Sequence, residues 1–118
     1  MTEKRTISLY PTSAKALREL GQRLKDARLR RRFSMDAVCA RADISRPTLY
    51  KIEKGEPSVV FGAYVQVLRV LGLVDDLALV AKEDIVGRRL QDESMSRPKR
   101  APKRIFQIAA NKDGGDNG

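Results

Sequence analysis

Apolar residues recur every three or four positions through most of the first 93 residues of this 118-residue chain, the period of helices buried along one face. Leu17, Leu20, Leu24 and Ala27 share one face of a first helix, predicted to start after Ser13 as N-cap; Lys15, Arg18, Arg23, Lys25, Arg28 and Arg30 fall elsewhere on it. Ahead of that helix, the β-prone run Thr6-Ile7-Ser8-Leu9-Tyr10, stopped by Pro11, reads as a strand or an ordered arm. Ser34 reads as the N-cap of a second helix, with Val38 and Ala42 four apart on its inner face and Cys39 beside them. Asp43 breaks the pattern, Ile44 is an apolar residue inside a turn, and Ser45 caps a third helix running to Lys54 with Leu49 and Ile52 inward. Pro47 is tolerated there because first-turn N–H groups have no intrahelical partner. Gly55 then stops the helix as a left-handed residue.

After the loop Glu56-Pro57-Ser58, Ser58 is expected to cap a fourth helix with the stripe Phe61, Tyr64, Val65, Leu68 and Leu71, ended by Gly72. A short fifth helix is expected from about Asp75, carrying Leu77, Val80 and Ala81, with Asp75 and Asp76 suiting its positive N-terminal dipole. Residues 84–93 continue the helical pattern. From Ser94 the composition turns basic and proline-interrupted, which opposes independent folding. The expected division is therefore an arm over 1–12, a helical domain over 13–93 and a basic flexible tail over 94–118.

The charge balance adds a partner to this picture. Twenty-four Lys and Arg against fifteen Asp and Glu leave +9, and a polyanion is the natural counterpart, because each phosphate neutralised releases counterions. With 42% hydrophobic residues and 5% aromatics, one small aliphatic core is expected. The N-terminus lacks the apolar stretch of a signal peptide, and one cysteine makes no internal disulfide, so a cytoplasmic, nucleoid-associated protein is expected.

The segment Phe33–Gly55, FSMDAVCARADISRPTLYKIEKG, concentrates the functional signal. Two short helices joined by a tight corner must pack Val38, Ala42, Ile44, Leu49 and Ile52 together, which leaves Ser45, Arg46, Thr48, Tyr50 and Lys51 on or near an outer face. Such a helix fits the roughly 12 Å major groove, where base edges present distinguishable donors and acceptors. This stretch resembles the Cro/repressor-type (XRE) helix-turn-helix family, which implies an all-α, five-helix, lambda-repressor-like domain over about Ser13–Ala81 that binds double-stranded DNA. The resemblance places Arg46, Pro47 and Lys51 at the positions most often read against bases, and Ser34, Lys54 and Ser58, with Arg28 or Arg30, at phosphates. Two departures stand out: Met35 replaces the usual Gln, and Asp43 replaces the usual turn Gly.

Outside the motif, Tyr10-Pro11-Thr12 and the stretch Gly62–Leu73 are similar to HipB-type antitoxins, which repress their own operon and bind HipA-like kinase toxins. That likeness implies a homodimer on a palindromic operator, with the dimer contact expected around Leu73, Leu77 and Val80. A stand-alone, phage-type regulator and a protein-interaction adaptor that does not touch DNA remain the alternatives. With no His in the chain, His-based catalysis and the commonest metal ligand are excluded. No phosphate-cradling Gly-rich loop follows a strand, and the acidic pairs Asp75-Asp76 and Asp92-Glu93 sit near helix ends. No enzyme, cofactor or metal site is expected. In the tail, Arg97-Pro98-Lys99-Arg100 faintly resembles an AT-hook, a generic polyelectrolyte arm serves equally, and Ile105–Ile108 with Phe106 offers an apolar island for a partner; an idle tail is the plain alternative.

Overall fold

The computed structural model describes residues 7–96. Its elements are α1 (Pro11–Arg30), α2 (Met35–Ala42), α3 (Arg46–Glu53), α4 (Phe61–Leu71), a 3-10 helix (Val74–Leu79) and α5 (Ile85–Ser96). Contacts divide the chain into two units, Met1–Ala78 and Leu79–Gly118. No strand occurs among the described residues: 7–10 are irregular, which corrects the strand reading of Thr6–Tyr10, Thr6 itself lying outside them. The basic tail beyond Ser96 also lies outside the described residues, and with it the Arg97–Arg100 motif and Phe106.

Pro11, which reads as a stop in the sequence, instead opens α1 behind Tyr10 as N-cap. Its missing N–H costs nothing at the first helical position, and its fixed φ is already helical. Ser13 therefore lies inside the helix rather than capping it. The buried stripe contains Leu24 and Ala27, with Leu17 and Leu20 half-buried beside the same core. Left-handed Arg32 (φ 57°) ends the element as Phe33 N–H donates to the Arg28 carbonyl.

In the first unit, α1 packs on α3 and α4, and α2 packs on the same two helices. Leu49, Ile52, Val38 and Val67 are wholly enclosed where the four helices meet. Cys39 belongs to this core, and its burial pushes the thiol pKa up. Two side chains of α4 reach the end of α2, Gln66 donating to the Ala42 carbonyl at 3.3 Å and Arg69 to the Arg41 carbonyl at 2.8 Å. They satisfy oxygens that the last turn of a helix leaves without intrahelical donors.

The start of α4 departs from expectation. Ser58 does not cap it; Val60 holds the N-cap position without a side-chain bond, and Phe61 is exposed rather than inward. The buried stripe is Ala63, Tyr64, Val67, Leu68 and Leu71. Tyr64 hydroxyl donates to the Glu56 carbonyl at 2.9 Å, so the loop is tied to the helix from within. Gly72 ends α4 in the left-handed region, as expected.

The expected fifth helix is a 3-10 helix confined to Val74–Leu79, and Val80 and Ala81 lie beyond it. Left-handed Ala81 (φ 63°) breaks the run, and short 3-10 segments rarely extend further. In the second unit, α5 starts after Asp84, whose carboxylate accepts from Gly87 N–H at 3.2 Å. Arg88 donates back to the Lys82 carbonyl at 3.1 Å.

Candidate nucleic-acid interface

The corner between α2 and α3 is built by local rules. Ser34 Oγ accepts from Ala37 N–H at 3.0 Å and opens α2. Asp43, at φ 58° and ψ 51°, occupies the left-handed conformation in which glycine would be easiest, while Ile44 N–H returns to the Cys39 carbonyl. Ile44 packs against the core, so the chain turns inward at the corner before leaving it again. Ser45 then caps α3, its Oγ accepting from Thr48 N–H at 3.3 Å and lying 3.0 Å from Thr48 Oγ1. Gly55 (φ 70°) follows Lys54 at the far end, and Glu56 N–H closes on the Lys51 carbonyl.

With Leu49 and Ile52 buried, the remaining side of α3 is outward. Arg46, Pro47, Tyr50 and Lys51 are exposed, as is Ser45; Thr48 is half-buried. The structure thus brings the six residues expected to read bases onto seven residues of chain, with Ser45 and Thr48 bonded to each other. Ser34 and Lys54 are exposed at the two ends of the corner, Arg30 is exposed at the end of α1, and Ser58 is exposed in the α3–α4 loop.

Arg28 is a correction. Expected at a phosphate, it is instead buried, with Nε 2.7 Å from Glu53 Oε2, Nη2 3.1 Å from Oε1 and Nη1 3.1 Å from the Phe33 carbonyl. Both side chains of the pair are more than nine-tenths enclosed. The Glu53 hydrogen bond raises the Arg28 pKa against the opposing effect of burial. The guanidinium therefore joins the end of α1 to the last turn of α3 and to the loop before α2.

Two partners were not legible beforehand. Glu53 lies 25 residues from Arg28, beyond any helical spacing. Asp36, in the first turn of α2, meets Arg46 Nη1 at 2.7 Å while both side chains stay exposed. Met35 sits beneath the same guanidinium, its sulfur 4.0 Å from Nη2, so the position that usually holds Gln contacts α3 through a thioether here. Farther along, the Lys54 ammonium lies 5.0 Å from the centre of the Tyr50 ring. The outer face of α3 is thus a row of cations with one aromatic, anchored from behind by a buried ion pair.

A family model for the helix-turn-helix domain matches residues 19–80, more than half of the chain. The chain belongs to the helix-turn-helix family. The matched span covers the corner and both helices that form it, so this helix-turn-helix protein is a DNA-binding regulator by family and by fold. No curated protein matches the chain. Leu73 and Leu77 of the helix-turn-helix unit pack in part against its core, and Val80 is exposed in the second unit. Among the described residues no helix is long and apolar enough to cross a membrane.

Proposed function

We propose that this helix-turn-helix protein is a sequence-specific transcriptional repressor that lays α3 in the major groove. The observation that carries the reading is the exposed row Ser45, Arg46, Tyr50 and Lys51, with half-buried Thr48 among them, on a helix whose other side is locked by Leu49, Ile52 and the Arg28–Glu53 pair. Arg46 offers two parallel N–H groups, the geometry that matches the O6 and N7 of guanine. Lys51 reaches a guanine or a phosphate, and Ser34, Lys54, Ser58 and Arg30 hold phosphates on either side.

The protein acts as a homodimer, two copies of α3 standing about 34 Å apart on a palindromic operator. Leu73, Leu77 and Val80 supply the apolar contact between copies. The similarity of Gly62–Leu73 to HipB-type antitoxins supports a further role: the dimer represses its own operon and captures a HipA-like kinase encoded beside it. Such a kinase, co-expressed and co-purified with the full chain, tests that role.

The DNA reading is tested with duplexes from the promoter of the gene and scrambled duplexes of equal length, titrated at several salt concentrations. Arg46→Ala should lose about 1–3 kcal/mol of discrimination between them. Equal weakening on both duplexes shows that Arg46 does not read bases.

A further inference from the structure

Helix α5 is twelve residues long, and none of residues 85–95 is buried. A helix of that length is marginal in water unless an apolar face is packed. By contrast α2 and α3, of eight residues each, bury three and two side chains. An apolar face exists on α5 too. Val86 and Leu90, one turn apart and about 40° from each other around the axis, are 66% and 60% exposed. Ser94, a small residue, continues the same side one turn further on.

The charges inside α5 run against its own dipole. Arg88 and Arg89 lie in its N-terminal half and Asp92 and Glu93 in its C-terminal half, whereas a helix favours acids near its start and bases near its end. Base-before-acid pairs four residues apart within one helix also have the weaker orientation. Beside a helix running the other way, the same order becomes favourable. The neighbour's arginines then stand next to these acids, its acids stand next to these arginines, and the two dipoles oppose. A purely basic segment such as residues 97–104 would suit Asp92 and Glu93 but repel Arg88 and Arg89. A second copy of α5 carries the complement to both halves.

We infer that α5 pairs with α5 of a second copy, antiparallel about a two-fold axis at Leu90. Leu90 meets its own counterpart, and Val86 covers the partner's Ser94. Arg89 and Glu93 lie on one flank of the Val86–Leu90 stripe, and the two-fold axis sets that flank against itself. Two Arg89–Glu93 ion pairs therefore cross the interface, the two residues offset by about 3 Å along the axis. Parallel helices would form neither pair, so the flank charges fix the orientation. The contact is the same patch on both copies and closes at two. This inference rests on the homodimer proposed above and gives it an interface separate from Leu73, Leu77 and Val80.

Sedimentation equilibrium of the full chain tests the pairing, with circular dichroism to check that each variant is folded. Arg89→Glu and Glu93→Arg each set like charges across the interface, and each should raise the dimer dissociation constant about three- to thirtyfold, the range for two exposed ion pairs. An equimolar mixture of these two variants sets Glu beside Arg at both crossings and should return the wild-type constant through mixed dimers. An ion pair within one helix does not give that rescue, because each chain in the mixture carries like charges at 89 and 93. Leu90→Asp should weaken the dimer at least about thirtyfold, through the two leucines withdrawn from the contact. Mixed dimers no tighter than those of either variant alone overturn the antiparallel pairing. A dimer unchanged by Leu90→Asp overturns the α5 interface and leaves the homodimer held by Leu73, Leu77 and Val80 standing. A wild-type chain that stays monomeric up to its solubility limit overturns both and assigns the α5 face to another occupant.

Discussion

Gly21 and Gly55 touch backbone to backbone: a Cβ on Gly21 would stand 2.6 Å from the Gly55 nitrogen and 2.6 Å from the Ile52 carbonyl oxygen. From the other side, a Cβ on Gly55 would run into the Leu17 carbonyl. The middle of α1 and the end of α3 are therefore as close as two chains can come, and the contact fixes how far α3 projects. Gly21→Ala should destabilise by about 1–3 kcal/mol, the usual cost of overpacking against atoms that cannot turn aside. Gly55→Ala should cost more, because its φ of 70° adds a left-handed penalty of about 1–2 kcal/mol. Urea unfolding of each variant measures both, and a change below about 0.5 kcal/mol at Gly55 contradicts the packing described.

The Arg28–Glu53 pair sets the second constraint on α3. Glu53→Ala leaves a buried guanidinium without its carboxylate, and a loss of about 3–5 kcal/mol is expected. Replacing both residues by apolar ones of similar volume should recover much of that loss. Equilibrium unfolding of the two single variants and the double variant checks it; equal losses in all three contradict a paired role.

Alkaline pH reaches the core through Tyr64. Burial pushes its pKa from 10.0 up to about 12, as the neutral hydroxyl donates to the Glu56 carbonyl. The folded pKa is raised, so the stabilisation is complete below the unfolded value near 10 and drains away as pH climbs towards 12. The slope is at most about 1.4 kcal/mol per pH unit over that window. Tyr64→Phe should flatten the pH dependence of unfolding there, while costing about 0.5–1.5 kcal/mol near neutrality for the lost hydrogen bond. Identical alkaline profiles for the two proteins contradict this.

Asp36 holds Arg46 by one exposed ion pair, which adds less than about 1 kcal/mol to stability. Its effect belongs to recognition: the carboxylate restricts where the guanidinium points and repels phosphates. Asp36→Ala should tighten binding to scrambled DNA and lower the promoter-to-scrambled ratio several-fold, with unfolding unchanged. A ratio that holds or rises shows that Asp36 does not orient Arg46.

The features legible in the chain were those decided within a few residues. Ser34, Ser45, left-handed Asp43 and Gly55 all follow from capping and turn chemistry, and they suffice to draw the corner. The four-residue spacing from Leu20 to Leu24 and from Val38 to Ala42 put the right side chains into the core. Distant partners were hidden. Arg28 reads as one more surface cation until Glu53 is brought beside it by packing, and Arg46 reads as free until the corner lays Asp36 against it. At the start of α4, Ser58 is the better local cap, yet the helix begins at Phe61 while Tyr64 bonds to the Glu56 carbonyl. Pro11 satisfies both a stop and a start, and only the continuous helix behind it decides between them.

The location of the DNA on the protein is the most direct test of all this. Amide signals of the full chain, followed by NMR as promoter duplex is added, should move most at Ser34, Asp36 and residues 45–51. Shifts concentrated on the outward residues of α4 or on residues 79–96, with 45–51 unmoved, would contradict a recognition role for α3.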